Sequence, residues 1–322
     1  MDFHLEFSPK PFATKINHSQ LLFLAGSCFT EQIGQKLAAH KFRTIENPHG
    51  ILFNPVSIST AVLSYIQNKQ YTEADLFYHN ELWGSWEHHT RFSNLSKETC
   101  LHNINQSQAA AHTFLKKADW ILLTLGSAFV YELDNKQVVA NCHKVPTDKF
   151  KKRLLSIAEV TAVLEKLVSS IKEFNPTLKI IFTVSPVRHL RDGFVENNRS
   201  KAVLINSIHQ MVDQFEDAFY FPSYELIIDD LRDYRFYAED MVHPNYAATN
   251  YVWDKFAGTC IDDSSRELMS EIYKINAAMS HKAFNPGSEA HKAFKNKYLQ
   301  LCTAMQQKYP YVNLTNELTY FS

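Results

Sequence analysis

Residues 21–37 read LLFLAGSCFTEQIGQKL. Five apolar residues stop at Gly26, and Ser27 and Cys28 follow before a polar stretch in which Ile33 and Leu37 stand four apart. A short unbroken apolar run fits a strand buried on both faces. The four-residue spacing predicts a helix over Thr30–Ala39, with Cys28 or Phe29 in its first turn. Glycine allows the chain to turn sharply between the two. The turn therefore presents two nucleophilic side chains at a strand end. There the free N–H groups and dipole of a helix start stabilise a thiolate or an oxyanion.

The same alternation recurs along the chain. WILLTLG (120–126) and LKIIFTVSP (178–186) read as buried strands, and a fourth strand falls around 218–222. Helices are predicted over 56–68, 105–118, 156–175 and 198–217. The third is the strongest, with Val160, Val163, Leu164, Leu167 and Ile171 on one face. Strands alternating with helices imply right-handed crossovers and a mostly parallel sheet, hence a three-layer α/β/α sandwich. Sites in such sheets form at the carboxyl ends of strands, where Gly26, Gly126 and Ser185 fall.

NPHGILFNP (47–55) is a loop by its Asn-Pro pairs, and 131–140 a hairpin turning at Asp134-Asn135. Residues 71–104 read as irregular, Lys149–Arg153 as a solvated approach to a helix, and Asp192-Gly193 as a turn. Past residue 260 the strand signal ends, and two helices are predicted over 264–285 and 287–307. The expected organisation is an N-terminal segment (1–20), a core domain (21–260) and a helical extension (261–322) packed on that core.

Composition narrows the function. The 322 residues carry a formal net charge of −1, and 45% are hydrophobic against 21% charged. No basic stripe points to nucleic acid. No stretch approaches the roughly 18 apolar residues of a membrane span, and the first twenty residues lack the pattern of a secretory signal. The five cysteines (28, 100, 142, 260 and 302) are odd in number, widely spaced and form no CxxC pair. Reduced thiols in a cytoplasmic protein follow as the expectation, with no disulfide framework or zinc site. His88 and His89 lack a third ligand, so neither metal nor cofactor is expected.

A nucleophile needs a base, and YAEDMVHPNYAATNYVWDKF (237–256) offers one. Asp240 and His243 lie three apart, and Pro244 leads into a helical pattern. The carboxylate can hold one imidazole nitrogen and leave the other free as general base. The competing readings are plain ones: a buried cysteine in a βα turn, a packing or capping histidine, and Asp240 as a helix cap.

The segments GSCF, NPHGILFNP, TLGSAFVYE, TVSPVRHL, NNRSKAVL and YAEDMVHPN, in that order over about 21–260, resemble the GSCFA-domain family, a bacterial branch of the SGNH (GDSL-like) hydrolases. The resemblance implies an SGNH/flavodoxin-like fold and acyl-ester chemistry. Gly26 aligns with the superfamily's first-block glycine, which sets Cys28 at the nucleophile position; a one-residue shift sets Ser27 there instead. His243 and Asp240 match the last block, Asp-x-x-His-Pro. Gly50 and Gly126 match the blocks that supply the oxyanion hole. Many relatives have Gly-x-Asn-Asp at the latter, whereas this chain has Gly126-Ser127-Ala128-Phe129, so the oxyanion asparagine is missing. Asn54, Asn47 and Ser127 are candidates to replace it. Asn47, Ser127, Arg188 and His89 are candidates for the pocket wall, and Arg188 with His189 for recognition of an anion or carboxylate at the site mouth.

The expected activity is hydrolysis of an acyl ester, or transfer of its acyl group to a hydroxyl, through a Cys/Ser-His-Asp triad and an acyl-enzyme, on a small-molecule or glycan ester. A non-catalytic carbohydrate-binding module on the same fold is the alternative. The acyl group, the acceptor and the oligomeric state stay open.

Overall fold

The computed structural model describes residues 4–322. Its first crossover is the quoted stretch: β1 (Leu21–Gly26) turns at Ser27 into α1 (Cys28–Ala39), followed by β2 (Arg43–Glu46). After α2 (Pro55–Ile66), a hairpin of β3 (Phe77–His79) and β4 (Leu82–Gly84) leads to α3 (Lys97–Leu115) and β5 (Trp120–Leu125). A small antiparallel unit then forms from β6 (Phe129–Glu132), β7 (Val138–Val139) and β8 (Lys151–Leu154). The core closes with α4 (Ile157–Phe174), β9 (Lys179–Val184), α5 (Gly193–Gln214), β10 (Ala218–Tyr220), the short α6 (Ser223–Glu225) and α7 (Tyr246–Cys260).

The main sheet runs β2-β1-β5-β9-β10, every pair parallel. Counted among these five alone, the order is 2-1-3-4-5, the flavodoxin-like order. Winding reverses between β1 and β5. The crevice at such a reversal, outside the carboxyl ends of the strands, is where ligands bind. Gly26 pairs with Thr124 in that register, so Gly26 and Gly126 flank the reversal.

Side chains alternate across the strands. Phe23, Ile121, Leu123, Ile180 and Phe182 pack with Ile58, Val62, Leu164, Leu167, Leu204 and Ile208 on one face. Leu22, Leu24, Trp120, Leu122 and Ile181 pack with Phe29, Ile33, Leu37, Val252 and Phe256 on the other. The sheet thus lies between α2, α4 and α5 on one side and α1 and α7 on the other, as the sandwich reading requires.

Several expectations need correcting. α3 begins at Lys97, not 105, capped by Ser96, whose Oγ accepts from the Thr99 N–H at 3.0 Å. Residues 71–104 are therefore partly ordered elements. Lys151–Leu154 is a strand paired with β6, not an approach to a helix. Gly193, at φ +90°, starts α5 directly.

The extension holds three helices: α8 (Asp263–Ser280), α9 (Glu289–Lys308) and α10 (Thr315–Phe321). They share their own apolar cluster around Ile272, Ile275, Met305, Leu314 and Phe321, while Met269 joins the main core. Polar ties to the core include Lys41 with Glu317 at 2.5 Å and Asn276 Nδ2 to Ala39 O at 2.8 Å. The N-terminal segment hydrogen-bonds to the end of α7 through Phe12 and Ile16. Among the described residues, no helix is long and apolar enough to cross a membrane.

Candidate active site

At the tip of β1, Gly26 has φ +146°, and a Cβ there would collide with the Thr124 carbonyl of β5. Only glycine fits this close approach. The buried Asn47 holds the turn from the other side, its Oδ1 accepting the Gly26 N–H at 2.8 Å. Ser27 is 1% exposed and caps α1, its Oγ accepting the Phe29 N–H at 3.3 Å. Cys28 is the first residue of the helix and half-buried. Burial pushes its thiol above the ordinary range, against the pull of the Phe29 and Cys28 N–H groups.

The second element is the loop before α7. Met241 takes φ +57°, and Ala238 N–H closes the loop on His243 O at 2.7 Å. Asp240 Oδ1 accepts the N–H groups of Val242 (2.9 Å) and His243 (3.0 Å), and Oδ2 lies 2.6 Å from His243 Nδ1. The His243 backbone N–H, then its ring, hold the Asp240 carboxyl down to about 2. The bond fixes the tautomer with Nδ1 protonated and leaves Nε2 as acceptor. Arg188 secures the loop to the end of β9: its N–H donates to Val242 O at 3.3 Å and its guanidinium lies 4.1 Å from the centre of the Tyr237 ring.

Both elements sit at the same edge of the sheet. Lys36 of α1 hydrogen-bonds Asn250 and lies 5.1 Å over Tyr246, and His40 stacks on Trp253 at 5.4 Å. Contacts that advance together along both chains make α1 and α7 parallel, so their N-termini lie at one end. Cys28 begins one helix, and His243 lies two residues before the N-cap of the other, whose first turn is level with Lys36 of α1. Among the described residues, neither Ser27 Oγ nor Cys28 Sγ hydrogen-bonds His243.

The oxyanion candidates fare differently. Gly50 N–H donates to Asn47 O at 2.7 Å and Gly126 N–H to Phe53 O at 2.7 Å, so both expected donors are already used. Gly50 instead serves a turn at φ +83° against the Cβ of His89. Asn54 caps α2, with Oδ1 accepting Ser57 N–H and Nδ2 donating to Ser57 Oγ. Ser127 Oγ accepts the Phe129 N–H at 3.1 Å and shares a hydrogen bond with Ser200 Oγ. The Cys28 N–H, at the start of α1, has no acceptor within its helix.

Of the proposed pocket residues, only Ser127 lines a cavity of about 720 Å³ beside the reversal point, together with the oxyanion candidate Asn54. Asn47, Arg188 and His89 do not line it. Asn47 braces the Gly26 turn, Arg188 clamps the His243 loop, and His89 Nδ1 accepts the Arg91 N–H at 3.2 Å.

One residue, Lys201, escaped the sequence reading, and His189 entered it only with Arg188 as an anion-recognition pair at the site mouth. Lys201 is 1% exposed, and its Nζ lies 2.7 Å from both Gly126 O and Ser185 O, the chain ends of β5 and β9. Burial lowers it to about 7, and its charge bears on Cys28. The signal was its spacing with Leu204, Ile208 and Met211 on the buried face of α5. His189 packs edge-on against Phe53 at 5.4 Å and lines the cavity, with no partner for Nε2 among the described residues. Burial, then the charges of Lys201 and His243, push it down to about 3, so its ring is neutral.

Residues 21–256 match the model described as the GSCFA family, and 272–322 that of the GSCFA domain protein, C-terminal domain. No curated protein matches. Similar solved structures include a carbohydrate esterase family 3 from Talaromyces cellulolyticus, at 9% identity and TM-score 0.36 over 79% of this chain and 99% of that one. Another is an acetyl esterase mutant with acetate ion, at 9% identity and TM-score 0.37 over 80% and 99%. Likeness of this extent decides nothing about activity.

Proposed function

With the premise that the chain belongs to the GSCFA family, we propose that it cleaves or transfers acyl esters through Cys28, His243 and Asp240. His243 Nε2 takes the thiol proton as Cys28 Sγ attacks the acyl carbon. The C–O bond to the alcohol breaks, and His243 returns the proton to the leaving oxygen. Water or a hydroxyl acceptor then resolves the thioester by the reverse sequence. Asp240 orients the imidazole and stabilises its charged form. The Cys28 N–H is one oxyanion donor; neither Gly50 nor Gly126 supplies a second without breaking an existing bond.

The observation that carries this reading is the Asp240–His243 bond of 2.6 Å on a loop that Arg188 ties to the carboxyl end of β9, the end of the sheet at which α1 also begins. Ser27 is spent as a buried cap, which favours Cys28 as nucleophile. The reading requires the Cys28–His243 bond to form in the substrate complex, where catalytic hydrogen bonds tighten. Labelling tests the assignment: an activated acyl probe should modify Cys28, and His243→Ala should abolish the label. A protein that carries no label and hydrolyses no ester would be the binding module, a reading favoured by the two occupied glycine N–H groups.

A further inference from the structure

Beside the reversal point, the cavity of about 720 Å³ runs from Ser127 and His189 to the small antiparallel sheet. Its size falls in the roughly 300–1,000 Å³ range of small-molecule sites. Phe53, Phe129 and Tyr131 supply aromatic rings, with Lys152 Nζ standing 4.8 Å over Phe129 and 5.3 Å over Tyr131. Charge gathers on its lining as Lys144, Lys152 and Arg191 against the single carboxylate of Asp192. Lys152 is paired with Asp192. Neither Lys144 nor Arg191 has a carboxylate partner among the described residues, so the lining keeps two uncompensated cations.

The position of Lys144 is built in. His143 and Lys144 take φ +49° and +60°, two consecutive non-glycine residues in the left-handed region. Such conformations persist where their surroundings over-determine them. Here His143 Nε2 lies 2.9 Å from Ser85 O and 3.1 Å from His88 O, and its ring stands edge-on to Phe77 and Trp86. The turn that carries Lys144 is therefore fixed before any ligand arrives. The lining includes none of Cys28, Asp240 and His243, but Phe53, whose carbonyl accepts the Gly126 and Ser127 N–H groups, brings the cavity to the end of β5 at the reversal point.

We propose that this cavity binds the alcohol part of the ester, and that this part is a ring carrying a carboxylate or a phosphate. The aromatic side chains border the ring, and Lys144 and Arg191 take the acid group. The orientation rests on the acyl-ester reading above; the binding itself does not.

Calorimetric titration of the Cys28→Ala protein with glucuronate, glucose 6-phosphate and glucose tests it, at low and high salt. One or both acids should bind at least about tenfold tighter than glucose, the value of one good charge-assisted contact, and the margin should shrink with salt. In a Lys144→Gln/Arg191→Gln background, with unchanged thermal midpoint, the margin should fall below about twofold. Preference for glucuronate alone identifies a carboxylate, and for glucose 6-phosphate alone a phosphate. Equal binding of glucose, a preference that survives both substitutions, or no binding of any of the three overturns the proposal. Acid binding in a wild-type protein that cleaves no ester would instead sink the catalytic reading, and with it the orientation, and leave the anion-binding cavity standing.

Discussion

Replacing Lys201 with methionine tests the electrostatics of the site floor. The ammonium has three N–H donors, and the structure gives it two carbonyl acceptors, Gly126 O and Ser185 O. The neutral amine has two N–H groups and matches them without a remainder. Burial accordingly lowers Lys201 from 10.5 to about 7, with the charge of Cys28 opposing weakly. Between those values the unfolded chain holds a proton that the folded chain has released, so stability rises with pH. Integrated from pH 7 to 9, the gain is about 2 kcal/mol, at roughly 1.36 kcal/mol per unit once the folded group is mostly deprotonated. The gain is largest above 10.5 and vanishes as pH falls through 7. Lys201→Met removes it, and groups common to both proteins cancel in the difference. Urea unfolding at pH 7, 8 and 9 should show wild type gaining about 2 kcal/mol on the variant. A difference that stays flat over that window, or shrinks, refutes the reasoning.

Three further outcomes follow from the geometry. Ser27→Ala should cost about 1 kcal/mol as a lost helix cap yet leave the acyl label on Cys28, read by urea midpoint and peptide mass; loss of the label in a folded variant would move the nucleophile to Ser27. His243→Ala should lower turnover of a small acetyl ester by about 10²–10⁴-fold with no change in thermal midpoint, since His243 is half exposed. Gly26→Ala should destabilise by about 3 kcal/mol or more, because φ +146° and the Thr124 carbonyl both oppose a Cβ; an unfolding midpoint within error of wild type would contradict the turn geometry.

The sheet was legible where strands are buried on both faces. β5 is buried at all six positions and shows as an unbroken apolar run. β2, reading RTIE, is an edge strand with no buried residue, and β8, reading KKRL, belongs to the solvated antiparallel unit; neither carries an apolar run to find. The first turns of α3 had a helical period, but Cys100, Ile104 and Gln108 mark its buried face rather than a row of large hydrophobes.

The site was legible as positions and illegible as roles. A motif places Gly50 and Gly126 near the reversal point, but whether an N–H is free depends on which carbonyl faces it, and those carbonyls come from Asn47 and Phe53. The same dependence explains the departure at Ser127-Ala128. Buried backbone groups must find partners, and here α5 supplies them: Ser200 Oγ accepts the Ala128 N–H at 2.7 Å, and Lys201 takes Gly126 O. An asparagine at position 128 would meet a buried site, 0% exposed, whose N–H is already taken by Ser200 of α5 and whose carbonyl by the Leu155 N–H. The Ser200-Lys201 pair thus occupies the surroundings in which the resemblance leads one to expect an asparagine. Restoring the asparagine alone adds a polar group to a floor with no place for it.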